Sequence, residues 1–94
     1  MRKTDKKIDN QLRNLLTQIC EVALQEIQGY KWVSHKVNYA RFPESLVITC
    51  TFEDLYSAEN AEQQGILLNL IQQKLRAANI ELNNVRKQVF FTSQ

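Results

Sequence analysis

Between residues 5 and 52 the apolar positions change their repeat once, from three- and four-residue steps to strict alternation. That switch confines the chain to folds that lay a helix on a sheet. Over residues 5–28, Ile8, Leu12, Leu15, Leu16, Ile19, Ala23 and Ile27 fall on one stripe of a helix. Thr4 or Asp5 offers a side-chain oxygen to cap its start, and Gly29 offers a left-handed residue to end it. Residues 1–4 read as a flexible lead-in. Over residues 32–42, Val33, His35, Val37 and Tyr39 alternate with Ser34, Lys36, Asn38 and Ala40, the pattern of a half-buried strand. Pro43, followed by Glu44 and Ser45, sets a turn because proline has no N–H to give a ladder. Alternation resumes over residues 46–52, with Leu46, Ile48, Cys50 and Phe52 on one face and Val47, Thr49 and Thr51 on the other. The two strands form a hairpin whose register is set by burying the first group.

Residues 53–60 read as a connecting loop, in which Ser57 or Asn60 can cap a second helix and Gln63 can complete a capping box with Asn60. Gln64, Leu67, Leu68, Ile71, Leu75 and Ala78 give that helix its inward stripe, and Asn79 ends it in a left-handed turn. Gly65 stands inside the helix at a cost of ~1 kcal/mol relative to alanine, offset by close packing or a late helix start. Residues 85–92 alternate again and read as a third strand. The expected fold is α+β in the order α-β-β-α-β: a three-stranded mixed sheet with two helices packed on one face. The helical link before the last strand permits a parallel crossover that sets strand three beside strand one, although the edge order stays open.

With 94 residues the chain has room for one core, so residues 1–94 read as a single domain. Its 44% hydrophobic and 23% charged residues match a globular chain, and a net charge of +2 is only mildly basic. No export signal follows the basic start, and no run approaches the ~20 apolar residues of a membrane span, so the expected compartment is the cytoplasm with no membrane partner. Cys20 and Cys50 lie far apart within apolar patterns and read as free buried thiols rather than metal or redox ligands.

Two stretches, KTDKKIDNQLR and WVSHKVNYARFPESLVITCTF, resemble a family of small proteobacterial proteins that carry the label "Fis family transcriptional regulator". The resemblance implies DNA binding. Fis itself ends in a helix-turn-helix, whereas VRKQVFFTSQ reads here as a strand, so no binding residue is carried over. The element order is also similar to that of ribosome-assembly factors with a type II KH-like domain, which implies RNA or ribosome binding. KH domains grip nucleic acid through a GXXG loop, and Gly29 and Gly65 are too far apart to form one.

No catalytic constellation, metal set or cofactor motif follows from the residues, and the chain is not expected to be an enzyme. His35 sits between Val33 and Val37 on the inward face of its strand, and Glu53 and Asp54 read as loop solvation. The candidate binding surface is basic and aromatic: Arg2, Lys3, Lys6, Lys7 and Arg13 along the first helix, with Trp32, Lys36, Arg41, Phe42, Arg86 and Phe90 on the sheet and its loops. If both helices cover one face, Trp32, Lys36, Val47, Thr49, Arg86 and Phe90 share the other. The expected function is a small binding module for nucleic acid or ribonucleoprotein. The alternative is a homodimeric or adaptor domain that meets protein through that same face.

Overall fold

The computed structural model describes residues 3–94, apart from the Lys3 side chain. Helix α1 spans Lys3–Glu26 and strand β1 spans Tyr30–Lys36; strand β2, Val47–Phe52, follows a connection that holds a short 3-10 turn at Tyr39–Arg41. Helices α2 (Leu55–Gln64) and α3 (Ile66–Ala77) come next, then one helical turn, α4 (Val85–Gln88), and strand β3 (Val89–Ser93). The sheet order is β1-β2-β3, with β1 antiparallel and β3 parallel to β2. It is therefore mixed as expected, but strand three lies beside strand two rather than strand one.

One side of the sheet is buried as the alternation predicts: Leu46, Ile48, Cys50 and Phe52 all have zero exposure. They pack with Leu12, Ile19 and Ala23 of α1 and with Leu67, Ile71 and Leu75 of α3 in a single core cluster. Tyr30 stands edge-on to Phe52, ring centroids 5.9 Å apart, and Phe91 of β3 tilts against Phe52 at 5.5 Å.

Several boundaries differ from the sequence expectation, each for a local reason. α1 is already helical at Lys3, so Thr4 and Asp5 lie inside it and do not cap it, and only Met1 and Arg2 of the expected lead-in fall outside the described residues. β1 stops at Lys36 rather than residue 42 because side chains capture the backbone beyond it. Asn38 Oδ1 accepts from Ala40 N–H at 3.0 Å, while Ser45 Oγ bonds both the N–H and the C=O of Asn38 at 2.9 and 2.7 Å. The second helix begins inside the expected loop, since Asp54, not Ser57 or Asn60, is its N-cap and accepts the Ser57 N–H at 2.7 Å. Gly65, at φ 71°, breaks the expected single helix into α2 and α3.

Asn79, at φ 63°, ends α3 as expected. Ile80 N–H reaches back to Leu75 C=O at 2.8 Å and Asn79 N–H to Arg76 C=O at 2.9 Å, a Schellman pairing that brings buried Ile80 onto buried Leu75. The last strand begins at Val89 and not residue 85, because Gln88 is committed elsewhere. Its Nε2 donates to the carbonyls of Pro43 at 2.9 Å, Leu46 at 3.1 Å and Glu44 at 3.3 Å, and its Oε1 accepts the Asn84 N–H at 2.9 Å.

At the start of β1 the register slips. Tyr30 pairs with Phe52 and Trp32 with Thr51, so two steps on β1 match one on β2 and Lys31 forms a bulge. Tyr30 thereby stays in the core while Trp32, two residues on, turns to the opposite face.

Candidate functional site

The bulge and the alternation after it decide what the uncovered face of the sheet displays. From β1 come Trp32, Ser34 and Lys36, in register with Thr51, Thr49 and Val47 of β2. Phe90 and Thr92 of β3 lie beside Thr49 and Thr51. Trp32 and Phe90 are each 46% exposed, unlike every aromatic on the opposite face. Two strand spacings and two residues of rise separate them, about 12 Å on standard sheet dimensions. Lys36 is exposed, and Val47 and Thr49 are half-buried between the strands that flank them. Arg86, expected on this face, sits instead on α4, exposed at the entry to β3.

Basic side chains collect at one end of the molecule. α1 runs antiparallel to β1, since Asp9 meets Tyr39 beyond the end of β1 while Ile27 and Gly29 lead into its start. Exposed Lys6 and Lys7 therefore lie toward the same end as Lys36, Arg41 in the 3-10 turn, and Arg86 and Lys87 on α4. The other end carries acids: Glu21 and Glu26 late in α1, and Glu53, Asp54 and Glu59 around the start of α2. A net charge of +2 thus hides a polar distribution that composition could not show. Of the remaining candidates, Arg2 and the Lys3 side chain lie outside the described residues. Arg13 is exposed but bonded to Asp9, and Phe42 is half-buried against the core and tilted on Tyr39 at 6.3 Å, so it braces the hairpin tip.

A cluster that the sequence did not disclose joins α1 to the hairpin. Asp9 accepts the Tyr39 hydroxyl at 2.5 Å on one carboxylate oxygen and Arg13 Nε at 2.8 Å on the other, and His35 Nε2 stands 3.7 Å from the first. The Tyr39 hydrogen bond, then that of Arg13, holds the Asp9 carboxyl below its ordinary range. Burial first, and the bond to Asp9 second, push Tyr39 up to about 12. A carboxylate with both oxygens engaged is a weak base and a phenol at about 12 is a weak acid near neutrality, so the group acts as a clasp. The i, i+4 spacing of Asp9 and Arg13 was visible in the sequence; the partner 30 residues away on an irregular turn was not.

Cys50 is fully buried, and burial pushes its thiol up to about 12; Cys20 is half-buried, and both are free. The nearby Tyr30 hydroxyl is buried with no hydrogen-bond partner among the described residues, and burial raises its pKa far above the usual phenol value. No group of three or more His, Cys, Asp or Glu side chains is placed to hold a metal ion among the described residues. None of the described helices is long and apolar enough to cross a membrane. Comparison with family models, curated proteins and solved structures returned no match to the chain.

Proposed function

We propose that this domain is a non-enzymatic module that binds single-stranded nucleic acid, free or presented by a ribonucleoprotein, across the uncovered face of its sheet. The observation that carries this reading is the pair Trp32 and Phe90, both half-exposed on one face with Lys36 beside them. Exposed aromatics on a sheet accept bases by stacking, each worth about 1–3 kcal/mol and largely indifferent to sequence. Lys36, Arg86 and Lys87, at the end where Lys6 and Lys7 also gather, supply the positive charge that tracks a phosphate chain leaving the platform. Three such contacts imply a slope of about −2.1 in log affinity against log salt for a single strand.

The test is a titration of short labelled single-stranded RNA and DNA at low salt, read by anisotropy and by quenching of Trp32. Binding accompanied by quenching is expected. Trp32→Ala should weaken it by about 1–3 kcal/mol with the salt slope kept, whereas neutralising Lys36, Arg86 and Lys87 should flatten the slope. Absence of binding to either polymer would overturn the proposal.

A further inference from the structure

The two edges of the sheet are treated differently. β1 carries the devices that discourage edge pairing, a bulge at Lys31 and a charged residue at Lys36. β3, Val-Phe-Phe-Thr-Ser, has neither charge, proline nor bulge, and among the described residues no strand pairs with its far side.

The backbone groups on that far side can be assigned. Gln94 N–H donates to Phe52 C=O at 3.0 Å, so Gln94, and by alternation Thr92 and Phe90, turn both backbone groups toward β2. Val89, Phe91 and Ser93 turn theirs outward. The Val89 N–H is already taken by Val85 C=O at the end of α4. The free edge therefore offers both groups of Phe91 and Ser93 and the carbonyl of Val89.

A groove of about 460 Å³ runs along this edge. Three successive residues, Val89, Phe90 and Phe91, line it, and because neighbours in a strand face opposite sides, a cavity that touches all three lies beside the strand rather than above it. Leu68 and Val85 add apolar wall, while Glu62 of α2 and Arg86 of α4 bring one charge of each sign.

We propose that this edge pairs antiparallel with the same edge of a second copy about a two-fold axis at Phe91, which joins two three-stranded sheets into one of six. Phe91 then exchanges both hydrogen bonds with its counterpart. Ser93 N–H donates to Val89 C=O across the axis, and only the occupied Val89 N–H drops out of the ladder. An isologous contact requires each patch to carry both halves of every interaction, and the groove does so for charge. Arg86 precedes β3, whereas α2 begins beside the end of β3, because Phe52, three residues before Leu55, pairs with Ser93. Reversing the second copy turns each Arg86 toward the first turns of its partner's α2, where Glu59 is exposed. Phe90 residues of the two copies become diagonal neighbours on the uncovered face, within aromatic reach. Edge pairing leaves the uncovered face of the sheet open, so the inference stands independently of nucleic-acid binding.

Light scattering on the purified chain tests it together with amide exchange. The expected mass is twice that of the chain. Phe91 and Ser93 amides should be protected at NMR concentrations and lose protection on dilution, while Phe90 and Thr92 amides stay protected throughout. Ser93→Pro removes an N–H that β2 does not use, so it should give a folded monomer by circular dichroism. Arg86→Glu should weaken dimerisation about tenfold, and adding Glu59→Arg should restore it. A monomer at NMR concentrations, unprotected Phe91 and Ser93 amides, or a dimer indifferent to both Ser93→Pro and Arg86→Glu would overturn the proposal.

Discussion

Gln88 offers the sharpest test of the packing logic, because one buried side chain completes the hydrogen bonding of a turn more than forty residues away in sequence. It is 4% exposed, with donor bonds to Pro43 and Leu46 at 2.9 and 3.1 Å, a longer one to Glu44 at 3.3 Å, and an accepted bond from Asn84 at 2.9 Å. In Gln88→Ala the three short bonds are lost. At about 1 kcal/mol each, the loss is about 3 kcal/mol. For a domain of this size that lowers Tm by about 12–24 °C. Urea unfolding followed by circular dichroism measures the same loss at fixed temperature. Gln88→Glu adds a directional check, since an ionised carboxylate would face carbonyl oxygens and only its protonated form donates to them. Its folded pKa is raised above the ordinary value of about 4.3, so its stabilisation is present below that pH and disappears as pH rises through the folded pKa. A cost for Gln88→Ala under about 1 kcal/mol would mean that water replaces the amide, and would refute the clamp.

The two glycines should respond differently to alanine. At Gly29 (φ 81°) a Cβ would lie 2.3 Å from Ser57 Oγ and 2.5 Å from Ser57 Cβ, so Gly29→Ala should cost more than about 3 kcal/mol by urea unfolding, in part recovered by Ser57→Gly. Gly65→Ala meets open space and carries only the left-handed penalty of about 1 kcal/mol. Asp9, whose pKa is depressed in the fold, contributes stability above its ordinary value of about 4 and loses it as pH falls through the folded value; the urea midpoint of Asp9→Asn should therefore vary less with pH across the acid range. Tyr39→Phe should reduce the same pH dependence, because its hydroxyl is the largest cause of the shift.

The parts of the fold that repeat were legible. Six apolar positions of α1, Ile27 just beyond its end, and the alternate set Leu46, Ile48, Cys50 and Phe52 fell where periodicity placed them, because burial on one face is a statement about spacing alone. Periodicity misled where side chains kept alternating after the ladder had ended. Val37 and Tyr39 still pack on the core, yet Asn38 and Ser45 have bent the backbone out of the strand. Residues 85–92 failed in a related way: Val85, Val89 and Phe91 are all half-buried, but Gln88 must reach the hairpin tip, and a helical turn lets it do so. In the candidate site, the alternation placed Trp32, Lys36 and Phe90 together. The grouping of charge at one end depends on the antiparallel run of α1 and β1, which appears only when Asp9 meets Tyr39.

The bulge at Lys31 also makes β1 a counter of residues. Two chain steps there match a single step of β2, and the inward and outward roles of everything from Trp32 to Lys36 depend on that extra residue. Deleting Lys31 would bring Tyr30 and the shortened strand back into simple alternation, leaving the chain to choose between withdrawing Tyr30 from Phe52 and driving Trp32 into the core. A substitution at position 31 leaves the count unchanged, since the bulged side chain is exposed. Position 31 should therefore accept changes of residue freely and changes of length hardly at all, so that an insertion or deletion there moves the aromatic platform where a point mutation does not.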